Sequence, residues 1–436
     1  MGLSLEEQSA IAYIQSRARF GMKPGLQRIA YLLQHLGSPE KQLRFIHVAG
    51  TNGKGSTCVY AASMLQAAGY RVGLYTSPYL TAFAERMSVN GVAITASELI
   101  ALTKQVQLIA DTVAGNKELE PTEFEIITAI AFLFFLSRKV DLVVLEAGLG
   151  GRFDATNVVL PEVCAITNVD LDHTEILGKN VREIAFDKSG IIKSNVPVVT
   201  GAQHDALDVI QQVAKKQHSD VWMLHNTIRV VPEYVYDLAG QRFSYMGRFH
   251  DWLGLRLNML GIHQVSNAGV ALGLMEVLST KGYTISEQAI RVGLKTAVWP
   301  GRLEVIHKDP VVILDGAHNK AGAVAMARAL EDLSISRYVL VMGVLSDKDM
   351  DGMSRAIVPK SSYVIVTKPA VQRSTPTEVL ASFVRNYAGE VPVELVEDVS
   401  QAVQRGVSIA NQKAVALCIM GSLYTVAEAK MTFLQS

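Results

Sequence analysis

Residues 49–57 read Ala49-Gly50-Thr51-Asn52-Gly53-Lys54-Gly55-Ser56-Thr57. They follow the apolar run Phe45-Ile46-His47-Val48 and precede the helical pattern Tyr60-Ala61-Ala62-Ser63-Met64-Leu65. A glycine-rich turn from strand to helix brings backbone N–H groups and a helix N-terminus to one point, and a lysine there adds a positive charge. That arrangement suits a polyphosphate. The stretch departs twice from the common phosphate-loop spacing: Val48 stands where its first glycine belongs, and Gly55 where a Ser or Thr belongs. Ser56 is therefore the first hydroxyl residue after the lysine.

Outward from this loop, apolar runs alternate with helical patterns. Strands are expected at 44–49, 71–76, 141–146, 162–167 and 196–200, and helices at 55–69, 97–113, 122–138, 180–193 and 205–217. Such alternation predicts an α/β fold with a mostly parallel sheet covered on both faces. Residues 220–260 read instead as short antiparallel strands at the sheet edge, followed by a helix over 263–280. Trp299-Pro300-Gly301 is a breaker. Beyond it the alternation restarts, with strands at 303–307, 311–315, 338–342, 362–366, 392–396 and 414–419 and helices at 319–332, 349–357, 376–388 and 398–410. The reading is a P-loop-containing domain over 1–298 and a smaller Rossmann-like α/β domain over 299–436.

The chain has 436 residues and a formal net charge of zero, so no global field recruits nucleic acid or an anionic membrane. Any anion must be met by a local cluster. Three scattered cysteines, Cys58, Cys164 and Cys418, fit buried thiols of a cytoplasmic protein rather than a disulfide framework or a zinc site. The N-terminal pattern is an amphipathic helix without a basic start or an apolar signal core. Ile126–Leu136 is too short to span a bilayer and reads as a buried helix.

In open α/β sheets ligands gather beyond the carboxyl ends of the strands. Polar residues collect there: Ser77-Pro78 after Tyr75-Thr76, Glu146 and Gly148-Leu149-Gly150-Gly151-Arg152 after Leu142–Leu145, and Asn168-Val169-Asp170 with Asp172-His173 after Val163–Thr167. In the second half, Asp315-Gly316-Ala317-His318-Asn319 follows Val311–Leu314. Nucleotide triphosphates are handled as magnesium complexes, and Glu146 with Ser77 and His173 offers donors for that ion, although His is an unusual magnesium ligand. Lys188, beside Asp187, reads by spacing as a solvated helix lysine. Thr122 reads as an N-cap with Glu125 closing a capping box, and Phe124 offers an aromatic face for a flat heterocycle. Arg302, after the breaker, suits a phosphate or an ion pair at the joint.

Taken together these segments resemble the folylpolyglutamate synthase/dihydrofolate synthase family of the Mur ligase superfamily. The resemblance rests on Gly50–Ser56, Thr76-Ser77-Pro78, Glu85-Arg86 with Asn90-Gly91, and Glu146–Asn157. It continues through Asp170–His173, Lys188–Ile191, His263-Gln264 with Asn267-Ala268, Trp299–Glu304, Asp315–Asn319, Asp347–Asp349 and Gly421–Tyr424. It departs at Tyr79, where His or Phe is usual, and at Lys320, where Pro is common.

The resemblance implies ATP as co-substrate, bound by Asn52, Gly53, Lys54, Gly55 and Ser56, with Asn267, Arg302 and Asp315 completing the nucleotide site. It implies Mg2+ at Ser77, Glu146 and His173. It implies that Lys188 is carbamylated and becomes a metal ligand, which reverses the surface reading, and it adds a monovalent cation. Lys23, Thr122, Phe124, Phe153, Asp154 and Ala155 would line the pterin or folate pocket. Arg86, His318 and Ser422 would meet L-glutamate. Lys54, Lys188, His173 and Arg302 would carry the catalysis. The implied reaction joins glutamate to dihydropteroate or a reduced folate through an acyl phosphate, in a monomer without nucleic-acid or membrane partners. Competing readings are a Mur-type peptidoglycan-precursor ligase, a P-loop NTPase without ligase activity and a non-catalytic nucleotide-binding module.

Overall fold

The computed structural model describes residues 3–20 and 24–435. The chain forms two compact units. One comprises Met1–Val231, Ser244–Leu255 and Ser266–Ala297; the other comprises Pro232–Phe243, Arg256–Val265 and Val298–Ser436.

The first unit holds an eight-stranded sheet in the order Val92–Ala93, Met87–Val89, Val72–Tyr75, Leu142–Glu146, Phe45–Ala49, Val163–Ile166, Val198–Thr200 and Val221–Met223. All neighbours from Val72–Tyr75 onward pair in parallel, and the first two strands add an antiparallel hairpin. The central strands Phe45–Ala49 and Leu142–Glu146 are buried at every position, as expected of parallel strands covered on both faces. The second unit holds a six-stranded sheet in the order Glu304–Lys308, Val311–Asp315, Ala416–Met420, Tyr338–Met342, Ser361–Val366 and Val393–Leu395. Only its first strand runs antiparallel. The alternation therefore yields the α/β fold with parallel sheets read from the sequence.

Three local expectations are corrected. The helix expected at 180–193 stops as Val181–Lys188 and tightens into a 3-10 turn, Ser189–Ile191. The Ser189 hydroxyl bonds back to Ala185 O at 2.6 Å, and a Cβ on Gly190 would lie 2.5 Å from Arg152 Cα, so the chain is pressed against a loop just there. Residues 220–260 do not simply edge the main sheet. Val221–Met223 is its parallel edge strand, whereas Arg229–Asp237, Gly240–Met246 and Asp251–Leu257 make a separate three-stranded sheet. Helices Gln27–His35 and Leu423–Gln435 are additional to the expected set.

The helix Glu123–Ser137 forms as read. Thr122 Oγ1 accepts from Glu125 N at 3.4 Å, and the Glu125 carboxylate accepts from Thr122 N at 2.7 Å. Ile126 through Phe135 are buried, which accounts for the greasy run without any membrane. Among the described residues no helix is long and apolar enough to cross one. All three cysteines are free and buried.

Candidate active site

The strand Phe45–Ala49 ends in the glycine loop, and Gly53 caps the helix Lys54–Ala67 in the left-handed region at φ 81°. A Cβ on Gly53 would sit 2.1 Å from Asn267 Oδ1, and one on Gly50 would sit 1.9 Å from Thr167 Oγ1. Both glycines are thus demanded by close neighbours, and Asn267 is brought to the loop. The loop is laced to the end of the next strand. Thr51 N donates to Asn168 O at 2.9 Å, Asn52 N to Asn168 Oδ1 at 2.8 Å, and Thr167 Oγ1 to Asn52 O at 2.6 Å. The sequence reading gave Thr167 and Asn168 no role; their place at a strand end was the available signal.

Two lysines converge on one carbonyl. Lys54 Nζ donates to Gly50 O and Thr51 O, each at 3.1 Å, and Lys188 Nζ donates to Gly50 O at 2.9 Å. Lys188 is only 3% exposed, so the solvated-lysine reading is wrong for it. Burial first, and the Lys54 charge second, pull its amine from 10.5 down to about 7, opposed by Asp187, Asp172 and Asp154. Its helix is held tightly to the segment after Glu146. A Cβ on Gly151 would lie 2.7 Å from Lys188 O, and Asp187 accepts from Gly151 N at 2.9 Å.

Glu146 closes its strand beside Val48 and is buried; Ser77 N donates to its Oε2 at 3.0 Å. The contact runs through the Ser77 backbone, and it brings a buried carboxylate next to a serine; oxygen donors of this kind suit a hard cation, which keeps several waters. Among the described residues no three His, Cys, Asp or Glu side chains form a ready cage. His173 lies in a left-handed turn at φ 49°, with Nε2 3.8 Å from Asp172 Oδ1.

The segment after Glu146 also meets the helix capped by Thr122. A Cβ on Gly148 would lie 2.4 Å from Phe124 Cζ, and the Phe124 ring centroid stands 6.0 Å from that of Tyr75. Phe153 is 52% exposed, whereas Ala155 is packed into the apolar core. Asp154 is buried and caps the turn Ala155–Val158, accepting from Leu149 N at 2.8 Å, from Thr156 N at 3.0 Å and from the Thr156 hydroxyl. Burial pushes its carboxyl up despite these donors. Glu125 pairs with Arg28 at 3.0 Å, a buried tie between residues far apart in the sequence. The Arg86 guanidinium lies 5.1 Å from the Tyr79 ring centroid and 5.7 Å from that of Phe83. Lys23 lies outside the described residues.

In the second unit, Asp315 ends its strand buried, with Oδ2 accepting from Leu303 N and Oδ1 from Ala317 N, both at 2.8 Å. Burial raises its carboxyl and Arg302 opposes the rise. Burial and the same arginine pull His263 down to about 4. Arg302 Nη1 would stand 3.1 Å from a Cβ on Gly316, so Arg302, Asp315 and Gly316 form one cluster. His318 Nδ1 is 2.9 Å from Gly316 O. The Ser422 hydroxyl accepts from Thr425 N at 3.0 Å and is engaged as a helix cap.

Residues 48–275 match the Mur ligase middle domain, and residues 301–423 match the Mur ligase glutamate ligase domain. The chain is 43% identical over 354 residues to a dihydrofolate synthase/folylpolyglutamate synthase of Bacillus subtilis, covering 80% of this chain and 82% of that one. It spans about half, 51%, of a relative from Haloferax volcanii named a probable bifunctional folylpolyglutamate synthase/dihydropteroate synthase, at 36% identity over 98% of this chain. A crystal structure of Mycobacterium tuberculosis folylpolyglutamate synthase complexed with ADP and AMPPCP aligns with a TM-score of 0.90 at 30% identity, over 99% of both chains. An FPGS–AMPPCP–folate complex aligns with a TM-score of 0.85 at 31% identity, over 99% of this chain and 100% of that one.

Proposed function

The chain belongs to the folylpolyglutamate synthase/dihydrofolate synthase family of Mur ligases, and from this we propose that it ligates L-glutamate to a folate-type carboxylate with ATP. It is an ATP-dependent amide-bond-forming ligase whose acceptor is dihydropteroate, a reduced folate, or both. One observation carries the geometric side of this reading: Lys54 and Lys188 meet at the Gly50 carbonyl, beside a helix N-terminus. The Lys54 ammonium and oriented N–H dipoles at one point make a seat for polyphosphate, and Lys188 is brought to the same carbonyl.

The chemistry follows from the poor electrophilicity of a carboxylate. An acceptor carboxylate oxygen attacks the γ-phosphorus of ATP, the bond to the β-phosphate oxygen breaks, and ADP leaves. The amine of glutamate then attacks the acyl carbon. The amide forms, the amine loses a proton, and phosphate departs with the former carboxylate oxygen. In the loop, Asn52, Gly53, Gly55 and Ser56 hold the phosphates, while Lys54 neutralises charge as it transfers. Asn267, and in the other unit Arg302 and Asp315, are each assigned to the nucleotide. Ser77, Glu146 and His173 would hold magnesium, which would supply further charge neutralisation at the phosphates.

Lys188 is assigned a carbamate. Its nitrogen lone pair bonds to the carbon of CO2 and a proton is released, which requires the neutral amine. An amine drawn down to about 7 supplies a large neutral fraction at physiological pH. The resulting anion is suited to a cation, consistent with a metal-ligand role, and a monovalent cation is assigned to the same region.

Thr122, Phe124, Phe153, Asp154 and Ala155, with Lys23, are assigned to the acceptor, and Arg86, His318 and Ser422 to glutamate. Residues 1–298 are taken as the nucleotide and folate domain and 299–436 as the ligase domain. The protein is assigned to the cytoplasm as a monomer acting on small molecules; its free, buried cysteines fit a reducing compartment.

The test is ADP release with and without glutamate, offering dihydropteroate, tetrahydrofolate or a muramyl nucleotide in turn. Turnover is expected only with glutamate and a pteroyl acceptor. ADP release independent of both, or dependent on the muramyl nucleotide, contradicts the proposal.

A further inference from the structure

We propose that His47 is a positioning residue for the acceptor pocket: as a neutral imidazole protonated at Nε2, it donates to Thr156 and so fixes the Asp154 carboxylate and the segment 148–156. The functional half rests on assigning Phe124 and Phe153–Ala155 to the acceptor.

His47 sits at the middle of the central strand Phe45–Ala49, between Leu145 and Cys164 on its neighbours, and has no solvent exposure. The other positions of this strand and its parallel neighbour are mostly aliphatic, and an aliphatic residue would fill the space without the cost of burying a polar ring. What the imidazole adds is one directed hydrogen bond. Nε2 lies 2.8 Å from Thr156 Oγ1.

The direction of that bond follows from counting protons. Both Asp154 oxygens accept backbone N–H donors, Oδ2 from Leu149 and Oδ1 from Thr156, which is the pattern of a carboxylate. Threonine has a single hydroxyl proton, and Thr156 gives it to Asp154 Oδ1. Thr156 Oγ1 must then accept from His47, so the ring carries its proton on Nε2 and a bare lone pair on Nδ1. His47 Nδ1 is indeed a buried nitrogen without a hydrogen-bond partner. An unpaired acceptor there is tolerated better than an unpaired N–H. Burial, followed by the Lys193 charge, pulls the imidazole down to about 3, so it stays neutral across physiological pH.

The relay ends where the acceptor is assigned. Through Leu149 N and Thr156 N, Asp154 closes the loop that carries Phe153, and a Cβ on Gly148 would run into the Phe124 ring. None of these contacts involves the phosphate loop. Losing the His47 bond should therefore weaken acceptor binding and leave nucleotide binding alone.

The test uses the full chain with His47→Leu, His47→Gln, Thr156→Val and the His47→Leu/Thr156→Val double variant. Leucine removes the donor, and glutamine can place an N–H near the Nε2 position. His47→Leu should raise the KM for the pteroyl acceptor about tenfold, the loss of one buried hydrogen bond, with the KM for ATP unchanged. His47→Gln should recover most of that loss, and the double variant should be no worse than either single one. An unchanged acceptor KM in folded His47→Leu, an equal rise in the ATP KM, or His47→Gln as impaired as His47→Leu overturns the proposal. The nitrogen NMR spectrum of the unmodified protein at neutral pH provides a readout that needs no variant to fold. It should show His47 protonated at Nε2 and bare at Nδ1, and an Nδ1–H tautomer or an imidazolium overturns the relay. Absence of any pteroyl-dependent turnover in the unmodified protein would sink the functional reading instead, leaving the spectrum to judge the relay.

Discussion

Replacing Lys188 with methionine should make the protein more stable and inactive at once. Lys188 is buried, and its amine is drawn from 10.5 to about 7, chiefly by loss of hydration. In the unfolded chain the amine keeps an ordinary lysine value. Between pH 7 and 10.5 the folded state therefore binds fewer protons than the unfolded state, and this residue makes stability rise with pH across that window. Below pH 7 the full penalty applies: roughly 5 kcal/mol at ~1.4 kcal/mol per pH unit. Methionine keeps the length of the side chain and needs no hydration. It forfeits the bond to Gly50 O, about 1 kcal/mol, and relaxation around the lysine reduces the gain further. A net gain of about 2–4 kcal/mol at pH 6 remains, or roughly 3–7 °C in the unfolding midpoint of a unit of this size. The assay is thermal unfolding of both proteins at pH 6 to 10 in CO2-free buffer, with ligation measured in parallel. Comparing the two proteins cancels every other titrating group. The advantage of Lys188→Met should be largest at pH 6 and fade toward pH 10. A variant less stable than the unmodified protein at pH 6, or an advantage independent of pH, would refute the reasoning.

Gly53→Ala forces a Cβ into the Asn267 amide at a φ of 81° and should cost ~1–2 kcal/mol of stability and raise the KM for ATP, read by denaturation and by initial rates. Gly148→Ala drives into the Phe124 ring, and the expected effect is a higher KM for the pteroyl acceptor with the ATP KM unchanged. Arg28→Met strands the buried Glu125 carboxylate and should destabilise by ~3–5 kcal/mol in urea unfolding, while Arg28→Met with Glu125→Met recovers most of that loss.

The sequence revealed those parts of the fold whose cause is local. Buried parallel strands are runs such as Leu142–Leu145, and Thr122 with Glu125 forms its capping box from side chains three residues apart. Ser77 and Glu146, picked for their strand ends, do meet. What escaped depends on partners far apart in sequence. Arg28 finds Glu125 across 97 residues, and Lys188 finds the Gly50 carbonyl across 138. Spacing placed Lys188 on a solvated helix face because a charged residue beside Asp187 carries no mark of the loop that buries it. The end of its helix was hidden for the same reason, since Gly190 is pressed on Arg152 rather than on anything nearby in sequence. The roles of Gly148 and Gly151 likewise follow from the Phe124 ring and the Lys188 backbone lying where their side chains would be.

In the proposed reaction ATP activates the acceptor carboxylate before glutamate attacks. Turnover with an acceptor whose reacting carboxylate carries 18O tests it most directly. The released inorganic phosphate should contain one 18O per amide formed, because the carboxylate oxygen leaves on phosphorus. Phosphate free of label, with amide still accumulating, would contradict an acyl phosphate and the site built around it.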